Sequence, residues 1–315
     1  MSPYWINRHQ SNDLTGPVVT SNFVLQSEMA LPVLRAPKID PLAEDVISIN
    51  APLVAQWLIR FLQDECIRRR GVKRAVLGLS GGVDSAVVAY LCAKAFGPEN
   101  VFAFRMPYKI SSQDSLDHAQ LVIDDLGINC RTIEITPMVD GYILTHEEDI
   151  TPSRLGNVCA RCRMITIFDQ SAKVGGLPIG TGNKSERLFG YYTWHADDSP
   201  PINPIGDLFK TQVWELARAL GVPNEIVDKP ASADLVKGQT DESDFGITYA
   251  KADRLLHYMT MGYSRDKLVE MGFPSADVDL VKKRVAGTHW KRRLPTVAML
   301  SSTAIGEYYL RPVDF

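Results

Sequence analysis

Apolar residues recur along this chain in two rhythms, short unbroken runs and helical stripes, and the two alternate. Arg74-Ala75-Val76-Leu77-Gly78-Leu79 reads as a short buried strand. The stretch after it, with Ala86, Val87, Val88, Tyr90, Leu91, Ala93, Ala95 and Phe96, predicts a helix that is apolar on most faces and is closed by Gly97-Pro98. Upstream, a helix is predicted from Asn50, with Pro52 suited to its first turn. Leu53, Val54, Trp57, Leu58, Phe61 and Leu62 form its apolar face and Gly71 its end. Downstream come a strand over Val101–Met106 stopped by Pro107, a helix over Ser111–Leu126, a strand over Cys130–Ile135, a helix over Asn157–Ala172 and a strand over Leu177–Gly182. Strands alternating with helices of this length predict an α/β fold, a doubly wound, mainly parallel sheet with helices on both faces. The second half is more helical, over Lys210–Leu220, Thr248–Met259 and Ser275–Ala286. Residues 1–45 are polar and dotted with prolines and read as an extended arm, 46–295 as the folded domain and 296–315 as a tail.

Composition narrows the class. The 315 residues are 45% hydrophobic and 23% charged, ordinary for a globular chain, with a net charge of −3. That balance argues against sequence-blind nucleic-acid binding. No apolar run is long enough to span a membrane, and the N-terminus lacks the layout of a signal peptide, so a cytoplasmic protein is expected. The five cysteines, an odd number spread through regular elements, suit reduced thiols. Cys159-Ala160-Arg161-Cys162 is a C-x-x-C without a second pair or a histidine cluster, and reads as incidental helix residues. Tyr258, Met259 and Met261 are expected in a core, and His118, His146 and His257 as structural or surface residues.

The chemistry sits in the turns. Gly78-Leu79-Ser80-Gly81-Gly82-Val83-Asp84-Ser85 joins a strand to a helix start, where free backbone N–H groups and the positive end of the helix dipole converge on one point. Glycines there allow a tight bend and close approach to an anion. Ser80 and Ser85 add hydroxyls, and Asp84 offers a carboxylate to a phosphate-borne magnesium ion. The loop is not G-x-x-x-x-G-K-[ST]. It resembles the pyrophosphate loop of the N-type ATP pyrophosphatases, which cleave ATP to AMP and pyrophosphate to adenylate a substrate. A second glycine turn, Gly180-Thr181-Gly182-Asn183-Lys184-Ser185-Glu186, repeats the physics, with Glu186 placed to face the same Mg2+ as Asp84.

That second turn, with Gly190-Tyr191-Tyr192-Thr193, Asn203-Pro204-Ile205-Gly206-Asp207-Leu208-Phe209-Lys210, Lys229-Pro230-Ala231-Ser232-Ala233-Asp234-Leu235, Gly238-Gln239-Thr240-Asp241-Glu242 and Lys291-Arg292-Arg293, closely resembles the ammonia-dependent NAD synthetases from about Asn50 to Pro295. The resemblance implies a ligase that adenylates the carboxylate of nicotinic acid adenine dinucleotide (deamido-NAD) with ATP and transfers ammonia to it, as a homodimer with the dinucleotide near the interface. It implies that residues 78–85 hold the ATP phosphates, that Asp84 and Glu186 bind Mg2+, and that Thr181, Lys210 and Ser232 contact ATP. Asp84, Lys210 and Glu186 would carry the catalysis. It further implies that Arg161 and Lys291 bind the dinucleotide, together with Trp194 and Trp290. The glutamine-hydrolysing domain of longer relatives has no counterpart here, so free ammonia, or ammonia handed over by another protein, is the expected nitrogen source.

The chain departs from the family on the substrate side. Trp194 stands where the family has lysine, Pro201 where it has an acidic residue, and Trp290 where it has histidine or tyrosine. These changes leave open a relative that amidates a flatter, less charged acid. A transfer-RNA-thiolating enzyme using Cys159 and Cys162 is a second alternative, and a non-catalytic nucleotide-binding module a third. The acidic balance counts against the second. The joint presence of Asp84, Glu186 and Lys210 counts against the third.

Overall fold

The computed structural model describes residues 40–232, 240–293 and 296–301. The predicted arm lies outside the described residues up to position 39, and the tail does so from 302 onward. Four parallel strands carry the first half of the fold: β1 (Ala75–Gly78), β2 (Val101–Arg105), β3 (Asn129–Thr132) and β4 (Leu177–Pro178), in the order β3-β2-β1-β4. A parallel bridge between Ile179 and Ile202 extends the sheet beyond β4.

Helices connect and cover the strands. They are α1 (Ala51–Leu62), α2 (Val83–Phe96), α3 (Gln113–Leu126), α4 (Thr136–His146), α5 (Pro152–Val174) and α6 (Lys184–Phe189). The helical second half adds α7 (Lys210–Leu220), α8 (Asn224–Val227), α9 (Asp241–Phe245), α10 (Tyr249–Thr260), α11 (Arg265–Glu270) and α12 (Ser275–Gly287). Two main cores result. One is built on β1, β2 and α2, and the other joins Phe189, Phe209, Phe245 and Tyr249 to the inner faces of α10 and α12. Among the described residues, no helix is long and apolar enough to cross a membrane.

The strand order fixes where a ligand can sit. The chain builds outward from β1 to β2 and β3, then returns to the other side of β1 with β4. The crevice at such a reversal, beyond the carboxyl ends of the strands, is open to ligands. Both glycine turns leave their strands there.

Several predicted elements change on inspection. α2 is buried almost throughout, as its all-round apolar surface predicts. Leu53 and Trp57, assigned to the inner face of α1, are instead exposed at 60% and 71%. The helix turns Ala51, Ala55 and Leu62 inward, with Val54, Leu58 and Phe61 packed beside them, and leaves Leu53 and Trp57 outside. Met261, expected in a core, is exposed just past the end of α10, whereas Tyr258 is buried. The strand predicted over Cys130–Ile135 loses regular geometry after Thr132. Its hydrogen bonding runs on, because Ile133 N donates to Arg105 O at 2.8 Å and Ile135 N to Pro107 O at 2.9 Å. α4 then follows at once, with Pro137 in its first turn. α5 begins at Pro152, five residues earlier than predicted, capped by the Thr151 side chain.

Candidate functional site

Between β1 and α2 the first glycine turn is held by its own hydroxyls. Ser80 N donates to Ser85 Oγ at 3.2 Å, Ser85 Oγ donates to Gly82 O at 3.0 Å, and the two hydroxyl oxygens lie 3.1 Å apart. Gly81 sits at φ +79°, and a Cβ there would meet Ser115 O at 2.1 Å. Only glycine tolerates both the dihedral and that approach. The loop is thereby pressed against the start of α3, leaving the start of α2 facing the crevice. Lys229 reaches the same place, its Nζ 3.3 Å from Ser115 Oγ.

The second turn carries a capping box. Asn183 Oδ1 accepts from Glu186 N at 2.9 Å, and Glu186 Oε2 accepts from Asn183 N at 3.3 Å. This reciprocal pair starts α6 and aims the other carboxylate oxygen of Glu186 across the crevice. The Asn183 amide also donates to Asp84 Oδ1 at 2.9 Å, tying the two turns together. Asn203 Nδ2 donates to Gly182 O at 2.8 Å and holds the turn from below.

Lys210, the first residue of α7, completes the centre. Its side chain is 3% exposed, its ammonium donates to Asp84 Oδ2, and Glu186 Oε1 lies 3.5 Å away. The Tyr249 ring sits 5.6 Å from the ammonium, and the Tyr249 hydroxyl donates to Asp241 Oδ2 at 3.0 Å. Burial disfavours the charge of Lys210, but the Asp84 and Glu186 carboxylates more than offset this and hold its proton on. Glu186 is pushed up to about 8, first by burial and next by the Asp84 charge, against the pull of Lys210. Burial also raises Asp241, whose Oδ1 is buried without a hydrogen-bond partner. Three carboxyl groups share one ammonium here, so a bound cation would favour the ionised form of Glu186.

Such a donor set suits Mg2+. Asp84 and Glu186 are hard oxygen donors that converge on the Lys210 ammonium, and they are the residues that would hold the ion. Among the described residues no group of three or more His, Cys, Asp or Glu forms a closed metal cage, as a structural zinc site would require.

A cleft of about 980 Å³ opens over this centre, large enough for a nucleotide with a second ligand beside it. Gly78, Leu79, Ser80, Gly82, Val83, Asp84 and Ser85 of the first turn line it, as do Thr181, Glu186, Lys210, Ser232 and Lys291. Gly81 shapes the turn without lining the cleft. Arg161, Trp194 and Trp290 stand outside its wall and form a connected ridge. Arg161 Nη2 donates to Trp194 O at 3.1 Å, and the Trp194 and Trp290 rings meet edge to face at 5.2 Å. His195, at φ +58°, stacks on Trp194 at 4.1 Å. The Lys291 ammonium is committed to the backbone, donating to Gly190 O and Tyr192 O at 2.7 Å each.

The cysteine pair takes no part in this site. Cys159 and Cys162 are buried in a cluster with Tyr108, Ile135 and Val139, and burial pushes both thiols up. A protonated, enclosed thiol is not a sulfur carrier, which removes the thiolating alternative. Sequence reasoning did not assign roles to Asn183, Lys229, Asp241, Tyr249 or Asp253. The capping box of Asn183 was visible in its spacing to Glu186. The other four meet the site only through tertiary contacts.

Fold and site together define a class, the α/β proteins that carry a Ser-Gly-Gly-x-Asp-Ser turn on a parallel sheet beside a buried Asp-Lys-Glu centre. The NAD synthase family model matches residues 54–295. The chain is 47% identical over 260 residues to the NH(3)-dependent NAD(+) synthetase of Trichlorobacter lovleyi, covering 82% of this chain and 94% of that protein. It is 48% identical over 261 residues to that of Chlorobaculum parvum, with the same two shares. Among solved structures it is similar to an NH3-dependent NAD synthetase from Campylobacter jejuni, with TM-score 0.69 and 33% identity over 80% of this chain and all of that one. It is also similar to an NMN synthetase from Francisella tularensis, with TM-score 0.71 and 30% identity over the same shares. The chain belongs to the NAD synthase family, a family of ligases.

Proposed function

We propose that this chain forms the amide of NAD: deamido-NAD, ATP and ammonia are converted to NAD, AMP and pyrophosphate. The observation that carries the reading is the Asp84–Lys210–Glu186 centre, set between two glycine turns at the reversal of strand order. A carboxylate is a poor electrophile, so its oxygen first attacks the α-phosphorus of ATP. Pyrophosphate leaves and an acyl-adenylate remains. Ammonia then attacks the acyl carbon, AMP leaves and a proton is released. The N–H groups at the start of α2 and the Ser80 and Ser85 hydroxyls hold the departing phosphates. Lys210 sits where negative charge accumulates on them. Asp84 and Glu186 would hold Mg2+, which when bound screens the charge of the phosphate oxygens. None of these steps needs a nucleophile from the protein, and catalysis rests on positioning and charge.

Residues 78–85, Thr181, Lys210 and Ser232 face ATP in this reading, and Lys291 lines the cleft on the dinucleotide side. The ridge of Arg161, Trp194 and Trp290 stands outside the cleft of its own chain, which supports a homodimer in which it serves a second copy. Met138 and Tyr142 of α4 and Ile165 of α5 are exposed and would be covered by that copy. The cytoplasm, where ATP is abundant and thiols stay reduced, is the compartment this chemistry fits.

The test is amide formation by the purified protein from deamido-NAD, ATP, Mg2+ and ammonium, following NAD, AMP and pyrophosphate. Equal amounts of all three, abolished in Asp84→Ala, are expected. Pyrophosphate release with other carboxylic acids but none with deamido-NAD would instead support the flatter-acid alternative raised by Trp194 and Pro201.

A further inference from the structure

The start of α7 poses a capping problem. Its first N–H groups have no partner within the helix, and Phe209, which precedes Lys210, has no side-chain acceptor. Two other helices supply the acceptors. Lys210 N donates to Ser185 Oγ of α6 at 2.9 Å, and Thr211 N donates to Asp253 Oδ2 of α10 at 3.0 Å. The Thr211 hydroxyl donates to the same oxygen at 2.9 Å, and Ser185 Oγ donates to Asp253 Oδ1 at 2.5 Å. Asp253 and Ser185 are fully buried. Asp253 forms no ion pair among the described residues. Its charge is met by these three donors and by the positive end of α7.

This one carboxylate therefore fastens together the backbone that carries Lys210 and the residue next to Glu186. We propose that Asp253 is a positioning residue for amide formation: it sets α6 and α7 in the register that places the Lys210 ammonium between Asp84 and Glu186. The role rests on the ligase reading above. Packing alone could hold two helices together, but only an acceptor with two oxygens can take all three donors here. Asparagine would turn an N–H group toward one of them and leave that donor unpaired in the core.

The test compares full-length wild type with Asp253→Asn, assayed well below the unfolding midpoint of each. The variant is expected to lose kcat by about tenfold or more with KM for ATP and deamido-NAD changed less than about threefold, since a shift of the centre acts after binding. A second readout needs no turnover: acetic anhydride labelling of the Lys210 amine, followed by mass spectrometry, is expected to be slow in wild type and faster in Asp253→Asn. A wild type that makes no NAD refutes the ligase reading, and the labelling still decides the role of Asp253. Asp253→Asn that melts earlier but keeps kcat within twofold and keeps Lys210 protected overturns the proposal, because Asp253 then only holds the fold. If Asp253→Asn does not fold, Ser185→Ala carries both readouts. A loss of kcat with faster labelling supports the proposal, and unchanged values overturn it.

Discussion

Lys210 is the residue on which most depends. Its ammonium pairs with the Asp84 carboxylate and stands 3.5 Å from Glu186 in a buried space. Breaking such a pair by removing one partner costs roughly 3–5 kcal/mol. Lys210→Met is therefore expected both to lower stability in urea unfolding and to cut kcat by about 10²-fold or more, as loss of a preorganised charge does. Glu186 allows a sharper check. In the metal-free protein its carboxyl keeps a proton to about pH 8, against an ordinary value of 4.5. The folded state therefore binds more protons than the unfolded chain across that window, and its stability falls as pH rises through it. Asp253, raised by burial to about 6, acts in the same direction but at the lower end. With a chelator present, urea unfolding between pH 6 and 8 should show declining stability in wild type and a flatter profile in Glu186→Gln. Equal slopes in the two proteins would remove Glu186 as the source. At this scale the sequence was informative wherever partners are close in the chain, as with Asn183 and Glu186. It was silent on Asp253, whose partners Ser185 and Thr211 lie 68 and 42 positions away.

The first glycine turn shows how an element enforces its chemistry. Two adjacent glycines do different work. Gly81 needs its positive φ and its contact with the Ser115 carbonyl, whereas Gly82 sits at φ −93°, and a Cβ there would meet nothing closer than Ser80 Oγ at 3.5 Å. Gly81→Ala should lower the unfolding midpoint and abolish turnover. Gly82→Ala should keep the midpoint and raise KM for ATP, because its methyl group enters the space the phosphates need. Equal effects on the midpoint would contradict this division. α5 makes the complementary case. Its C-x-x-C resembles a chemical motif, yet both thiols point into a core with α4. Cys159→Ala with Cys162→Ala should leave kcat within about twofold while costing about 1–2 kcal/mol of stability, the usual range for a small core truncation. Element legibility followed burial. The all-apolar α2 was plain from its sequence. α4 was missed because Pro137 and Gly141 interrupt its helical pattern, and the apolar face of α1 was read too wide, since Val54, Leu58, Phe61 and Leu62 pack on the core but Leu53 and Trp57 do not.

For the whole molecule, the reversal of strand order around β1 gathers residues from Gly78 to Lys291 into one cleft, and the two turns that carry Asp84 and Glu186 were legible in the sequence. Of the residues expected on the substrate side, Lys291 lines the cleft, whereas Arg161, Trp194 and Trp290 form a ridge beside it. If that ridge completes the site of a second copy, two dead proteins should repair each other. Asp84→Ala lacks the phosphate centre but keeps the ridge, and Arg161→Ala keeps the centre but alters the ridge. Each alone should make little NAD. In a two-fold dimer with random subunit exchange, an equal mixture places one complete site in each mixed dimer, restoring about a quarter of the wild-type sites. Recovery that grows with time after mixing, and with protein concentration, would establish that the ridge acts across an interface. A mixture no more active than its parts would place Arg161 and the two tryptophans in the service of their own chain, through closure of the ridge over the cleft, and would leave the dimer without a catalytic role.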